Sequence, residues 1–163
     1  MGDRACDGAG LNVREGRPDD VPFVIGLGAT AFARFGDYGP IMREFLASPE
    51  VRSFIAEEAG ERVGFVLVQT PSHRPGVKDL VAIAVEAAHR RTGVGRSLLT
   101  RVIASLEGRQ DASLLVLTVA DDNASAIRLF RGLGLEMIPG VFGSYAGGQR
   151  SRQMARWVIP RRS

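Results

Sequence analysis

The chain has 163 residues, 45% of them hydrophobic and 24% charged, with a formal charge of +3; these values exclude a disordered or fibrous polymer and leave room for one core. Its single cysteine, Cys6, excludes an intrachain disulfide and a cysteine-built metal cluster. With no basic leader ahead of an apolar run, and no apolar stretch long enough for a bilayer, the chain reads as cytoplasmic with no membrane role.

Residues 1–10 are polar and short and are expected to be a flexible N-terminal segment, with one domain over residues 11–163. Residues 11–14 predict a first strand. Pro18-Asp19-Asp20 predicts the cap of an apolar helix over 21–32. Phe35-Gly36-Asp37-Tyr38-Gly39-Pro40 then predicts a break, with a short helix over 41–46. Residues 51–57 and 63–69 predict an antiparallel hairpin turning at Ala59-Gly60-Glu61. After a loop at 70–76, residues 80–85 are apolar at every position, as a central strand covered on both faces requires.

Val94, Leu98, Leu99, Val102, Ile103 and Leu106 recur at helical spacing up to Gly108. Residues 114–119 predict another buried strand, and Asn123 the start of a helix over 124–133 ended by Gly134. Residues 137–142 and 154–159 close the chain as two strands around Tyr145-Ala146-Gly147-Gly148. The result is a mixed α/β sheet, of α+β type, with about seven strands and about four helices on its faces.

The chemistry concentrates in Arg90-Arg91-Thr92-Gly93-Val94-Gly95, between a buried strand and a helix. Such a turn presents unpaired backbone N–H groups at the positive end of the helix dipole, which makes an anion site. Gly93 and Gly95 let a phosphate approach and permit a tight turn, and Arg90, Arg91 and Arg96 add charge. A dinucleotide fingerprint would need a third glycine where Leu98 stands, and a P-loop would need Gly-Lys-Ser/Thr.

Val85-x-x-x-x-Arg90-x-x-Gly93-x-Gly95-x-x-Leu98-Leu99 resembles the acyl-CoA motif of the GNAT superfamily of N-acetyltransferases. Asn123-x-x-Ala126-Ile127-x-Leu129-Phe130-x-x-Leu133-Gly134-Leu135 resembles the helix that follows in that family, and the segment from Ala56 to Phe65 resembles its central hairpin. The resemblance implies a single GNAT-like domain with a mostly antiparallel sheet whose two central strands splay apart. It also implies acetyl-CoA as co-substrate, with its pyrophosphate on the amides of Arg90, Arg91, Thr92, Gly93, Val94, Gly95 and Arg96. Pantetheine would lie along the first central strand at Val85, the Ile83 N–H would face the acetyl carbonyl, and Asn123 would touch the cofactor while capping its helix.

N-acylation also needs a base for the amine. Asp79, where some relatives carry a glutamate, is the first candidate against a strand-end carboxylate in solvent; Glu57 and Glu58 come second, against a solvated hairpin end. Phe130 stands where many family members have a tyrosine that protonates the CoA sulfur, so that acid is missing. Tyr145 is either a replacement hydroxyl or a plain hairpin aromatic, and Tyr38 either borders the cleft or anchors its turn. His89 is expected to be an exposed loop residue, with no metal site.

The leading reading is acetyl transfer to a primary amine by direct attack in a ternary complex, the acceptor being a small molecule or a peptide. The alternative is a weak or inert acyl-CoA-binding sensor or partner-binding module. Five arginines between Arg150 and Arg162 raise nucleic acid as a third class, disfavoured because apolar strand residues interrupt them and Trp157 is the only aromatic among them. The Asn123 helix also looks like that of ribosomal-protein alanine N-acetyltransferases, although Thr118 stands where that group carries glutamate. A homodimer is compatible with the family.

Overall fold

The structure, a computed structural model, describes residues 10–162; Cys6 and all of the expected N-terminal segment except Gly10 lie outside it. Seven strands form one sheet in the order β1-β2-β3-β4-β5-β7-β6. They are β1 (Asn12–Glu15), β2 (Val51–Glu58), β3 (Glu61–Gln69), β4 (Val77–Val85), β5 (Ser113–Ala120), β6 (Glu136–Ser144) and β7 (Arg150–Val158). The helices are α1 (Val21–Ala31), α2 (Tyr38–Ala47), α3 (Val94–Glu107) and α4 (Ala124–Gly132). Only the β4–β5 pair is parallel, and α3 is the crossover such a pair requires.

The apolar stripe of α3 (Val94, Leu98, Leu99, Val102, Ile103, Leu106) packs on one face of the sheet with Leu115, Leu117 and Phe130. On the other face α1 and α2 bring Val24, Leu27 and Met42 against Ile55, Phe65 and Leu67. Burial on both faces explains the near-continuous apolar run of β3. The β2–β3 turn places Ala59 and Gly60 at φ 51° and 80°, the pair of positive angles a tight hairpin needs.

Three expectations are corrected. Asp20 makes no side-chain cap to α1; its carboxylate is held by Arg14 at 2.8 Å and Arg62 at 2.7 Å instead. Helix α2 starts at Tyr38, before Pro40, because a proline in a first turn forfeits only an N–H with no intrahelical acceptor. Strand β4 starts at Val77, three residues before the apolar run, since Lys78 is buried with its Nζ donating to the Pro75 carbonyl at 2.7 Å.

A bulge in β4 shapes everything that follows. Leu67 faces Ala82 and Val68 faces Leu80, so Val81 is an extra residue. Leu80 joins the α3-side core, whereas Ala82 and Ala84 join the α1–α2 side. The strand therefore changes which residues it shows to each face halfway along.

Candidate active site

The β4–β5 ladder ends at Leu80 opposite Leu117. Residues 82–85 of β4 remain paired to β3 alone, so the two central strands part and leave a length of β4 open toward the gap. Two cavities meet there. One, of about 600 Å³, is lined by Ile83, Val85, the turn residues from Arg90 to Arg96 except Thr92, and Asn123. The other, of about 300 Å³, is lined by Asp79, Val81, Ile83, Thr118, Tyr38 and Tyr145 among others. Phe32, Phe35, Ile83, Asn123, Ala126 and Phe130 border both, so they are two ends of one cleft through the opening in the sheet.

In the turn, Arg91 and Gly93 have left-handed backbones, φ 62° and 88°. Alternation of this kind turns successive N–H groups to one side and makes an anion-binding concavity. Among the described residues, no amide from 91 to 96 donates to a backbone acceptor. A Cβ on Gly93 would meet nothing within 4 Å, so its requirement is the positive φ and the open space in front of it; one on Gly95 would crowd Leu129 at 3.2 Å. The Thr92 hydroxyl donates to the His89 carbonyl, and Arg90 Nε donates to the Val85 carbonyl at 3.3 Å. Val85, whose backbone is the one expected to meet pantetheine, thus has its carbonyl engaged by Arg90.

Asn123 Oδ1 accepts the Ala126 N–H at 3.3 Å, capping α4, and its amide group remains available where the residue borders the cleft. Phe130, 4% exposed, sits at the junction of the two cavities.

Of the three carboxylates considered, Asp79 alone lines the cleft. Burial pushes its pKa up, offset in part by the charge of Arg74. Glu57 pairs with Arg14 at 2.7 Å and Glu58 with His89 at 2.7 Å; neither carboxylate lines a cavity, although His89 borders the larger one. His89 is accordingly a partnered residue rather than an exposed one. Burial pushes the Tyr145 hydroxyl up to about 12, which keeps it a donor throughout the neutral range.

The roof of the smaller cavity was not read from the sequence. Phe32, Phe35 and Phe45 line it beside Tyr38, and the Phe35 and Tyr145 rings stack at 4.6 Å. The tip of the β6–β7 hairpin clamps onto the 3-10 turn Ala33–Phe35: Gly147 N–H donates to the Phe35 carbonyl at 3.0 Å and Gln149 Nε2 to the Arg34 carbonyl at 2.7 Å. The recurrence of aromatics from 32 to 45 around Gly36 was the available signal. Four of the five arginines of the C-terminal cluster have partners: Arg150 and Arg152 lie over the Phe142 ring, Arg156 binds the Leu133 carbonyl and Arg161 pairs with Glu107. No group of three or more His, Cys, Asp or Glu among the described residues could hold a metal, and no described helix is long and apolar enough to cross a membrane.

An open strand edge, a free-amide turn and a cleft joining them fit an extended thioester carrier with an anionic end. Residues 27–135 match the acetyltransferase (GNAT) family, and the chain belongs to that family. It is 28% identical over 160 residues to an N-alpha-acetyltransferase of Sulfurisphaera tokodaii, covering 93% of this chain and 95% of that one. The ribosomal-protein-S18-alanine N-acetyltransferase of Escherichia coli shares the fold, with a TM-score of 0.75 at 23% identity over 94% of this chain and 97% of that one. So does Arabidopsis thaliana NAA60 in complex with acetyl-CoA, with a TM-score of 0.74 at 17% identity over 91% and 98%. The protein is an acetyltransferase enzyme.

Proposed function

We propose that the protein transfers the acetyl group of acetyl-CoA to a primary amine by direct attack, with both substrates bound in the one cleft. The observation that carries this reading is the end of the β4–β5 ladder at Leu80 and Leu117 in a cleft that also holds the unbonded amides of the 91–96 turn.

Acetyl-CoA supplies a thioester whose carbonyl carbon accepts the amine and whose thiolate leaves. The amides of Arg91 to Arg96 hold the diphosphate, with Arg90, Arg91 and Arg96 adding positive charge. The open edge of β4 from Ile83 to Val85 orients the pantetheine arm, and Asn123 contributes its free amide group. The Ile83 N–H donates to the carbonyl oxygen as negative charge develops there, a contribution of roughly 3 kcal/mol where such donors have been removed.

Asp79 takes the proton from the ammonium, directly or through a water, and its raised pKa makes it a better base than an exposed aspartate. As the N–C bond forms and the C–S bond breaks, the second amine proton must reach the departing thiolate, and a hydroxyl can relay it by accepting that proton and donating its own. Phe130 can do neither, and Tyr145, held protonated in the same cavity, is the hydroxyl in position to donate.

Calorimetry with acetyl-CoA, followed by a thiol-release assay on a panel of amines, tests the proposal. Binding in the micromolar range and amine-dependent release above the hydrolysis blank are expected; no binding at millimolar acetyl-CoA would sink it.

A further inference from the structure

The acceptor end of the cleft has a composition that discriminates among amines. Resting on the acetyl-transfer reading above, we propose that the acceptor is a primary amine carried on an uncharged, apolar body, with an aromatic or large aliphatic group next to the amine.

Six aromatic side chains, Phe32, Phe35, Tyr38, Phe45, Phe130 and Tyr145, line the 300 Å³ cavity, with Val81 and Ile83 on the strand side. The volume suits one side chain of the size of a phenylethyl group. Asp79 is the one acid in the lining, and no lysine or arginine lines it. Two cations act on the chamber from outside its lining: Arg34, whose charge reaches Tyr145, lies in the neighbouring part of the cleft with its guanidinium on Asp122 at 3.2 Å, and Arg74 acts on Asp79 from the exposed 70–76 loop.

One acid can receive one ammonium. A free amino acid would bring its carboxylate into an aromatic chamber with no cation in its lining to pair it, next to Asp79 of the same sign. A polyamine would bring a second ammonium with no second acid. Both are rejected by an unpaired charge rather than by shape. An amine whose neighbouring carbonyl is an amide, or which has none, meets neither penalty and buries its apolar group on the rings.

The test is calorimetric titration, at saturating CoA, of 2-phenylethylamine, phenylalaninamide, free phenylalanine and spermidine, with thiol release from acetyl-CoA measured in parallel. The two uncharged-body amines are expected to bind and turn over at least about tenfold better than phenylalanine or spermidine, a difference of about 1.4 kcal/mol. An amidated peptide beginning with phenylalanine separates the sources: a further gain over 2-phenylethylamine assigns a protein N-terminus, and parity assigns a small amine. Ile41 borders the cavity and is 38% exposed, so I41R should fold and should shrink the amide-over-acid preference severalfold. Phenylalanine or spermidine matching the amide, or no binding of either uncharged-body amine at 10 mM (about the weakest affinity of interest) while CoA binds, overturns the proposal. Failure of CoA itself to bind would instead strike at the transferase reading on which it rests.

Discussion

Leu80 and Leu117 are the last residues of β4 and β5 to face one another, although β4 runs on to Val85 and β5 to Ala120. The bulge at Val81 begins one residue past that point. Parting of the strands and the change of face in β4 are therefore one event, and they put Asp79 and Ile83 in a single cavity although they precede and follow the bulge.

Gly93 holds φ 88° at the start of α3. G93V places a β-branched residue in a left-handed backbone, at a cost of about 1–3 kcal/mol, and sets a side chain in front of the free amides. Acetyl-CoA affinity should fall at least about tenfold, more than the loss of thermal stability alone accounts for. Calorimetry and a melting curve on the same sample measure both.

For Asp79, D79N should lower kcat by about 10²- to 10⁴-fold while leaving acetyl-CoA binding intact. Burial raises the folded-state pKa, so folding disfavours the charged form, and the penalty stands above the folded pKa and disappears on protonation. The variant should consequently melt higher than wild type at neutral pH and lose that advantage in acid. The wild-type activity should fall on acidification at a pH above the ordinary carboxylate range. A less stable D79N at pH 7 would contradict the assignment.

The buried carboxylate of Asp20, 2% exposed, is held by Arg14 and Arg62 and accepts the Arg17 N–H at 2.7 Å. The Arg14 hydrogen bond is the main cause holding its pKa well below the usual carboxylate range. A depressed folded-state pKa contributes stability above the unfolded value and loses it as pH falls. D20A should cost about 2–3 kcal/mol at pH 7, since it leaves Arg14 with Glu57 as its one carboxylate partner and removes the 2.7 Å partner of Arg62, and the gap to wild type should narrow toward pH 3, roughly one unit below the ordinary aspartate pKa. Urea unfolding at the two pH values measures it.

Tyr145 stacks on Phe35 through its ring, so Y145F keeps the packing and removes only the hydroxyl. A kcat loss of about tenfold, with unchanged melting and acetyl-CoA binding, is the expected result. F130Y, which returns a hydroxyl to the cavity junction, should recover part of that loss in the double variant. Wild-type turnover in Y145F would remove the donor role.

A Cβ on Gly147 would lie 2.1 Å from the Arg34 carbonyl oxygen. G147A must lift the hairpin tip from the 33–35 turn. The amine KM should rise about tenfold with acetyl-CoA affinity unchanged, because the clamp roofs only the acceptor end. A loss confined to acetyl-CoA binding would place the clamp elsewhere.

The sequence by itself determined the strand-to-helix turn at 90–95, the long helix after it, the β2–β3 hairpin and the order of elements, because each is specified by neighbours along the chain: a residue that tolerates positive φ, a 3.6-residue apolar period, a short glycine turn. It also marked Asn123 and the missing hydroxyl at Phe130. Only the tertiary structure decided which of the three carboxylates lines the cleft. Glu57 is drawn into an ion pair with Arg14 and Glu58 onto the His89 imidazole, while Asp79 lies in a strand whose start was hidden by a buried lysine. The acceptor chamber is likewise built from Tyr38, Asp79, Phe130 and Tyr145, residues far apart in the chain. Their meeting depends on where the strands part and where the hairpin lands, which local propensity does not encode and packing does.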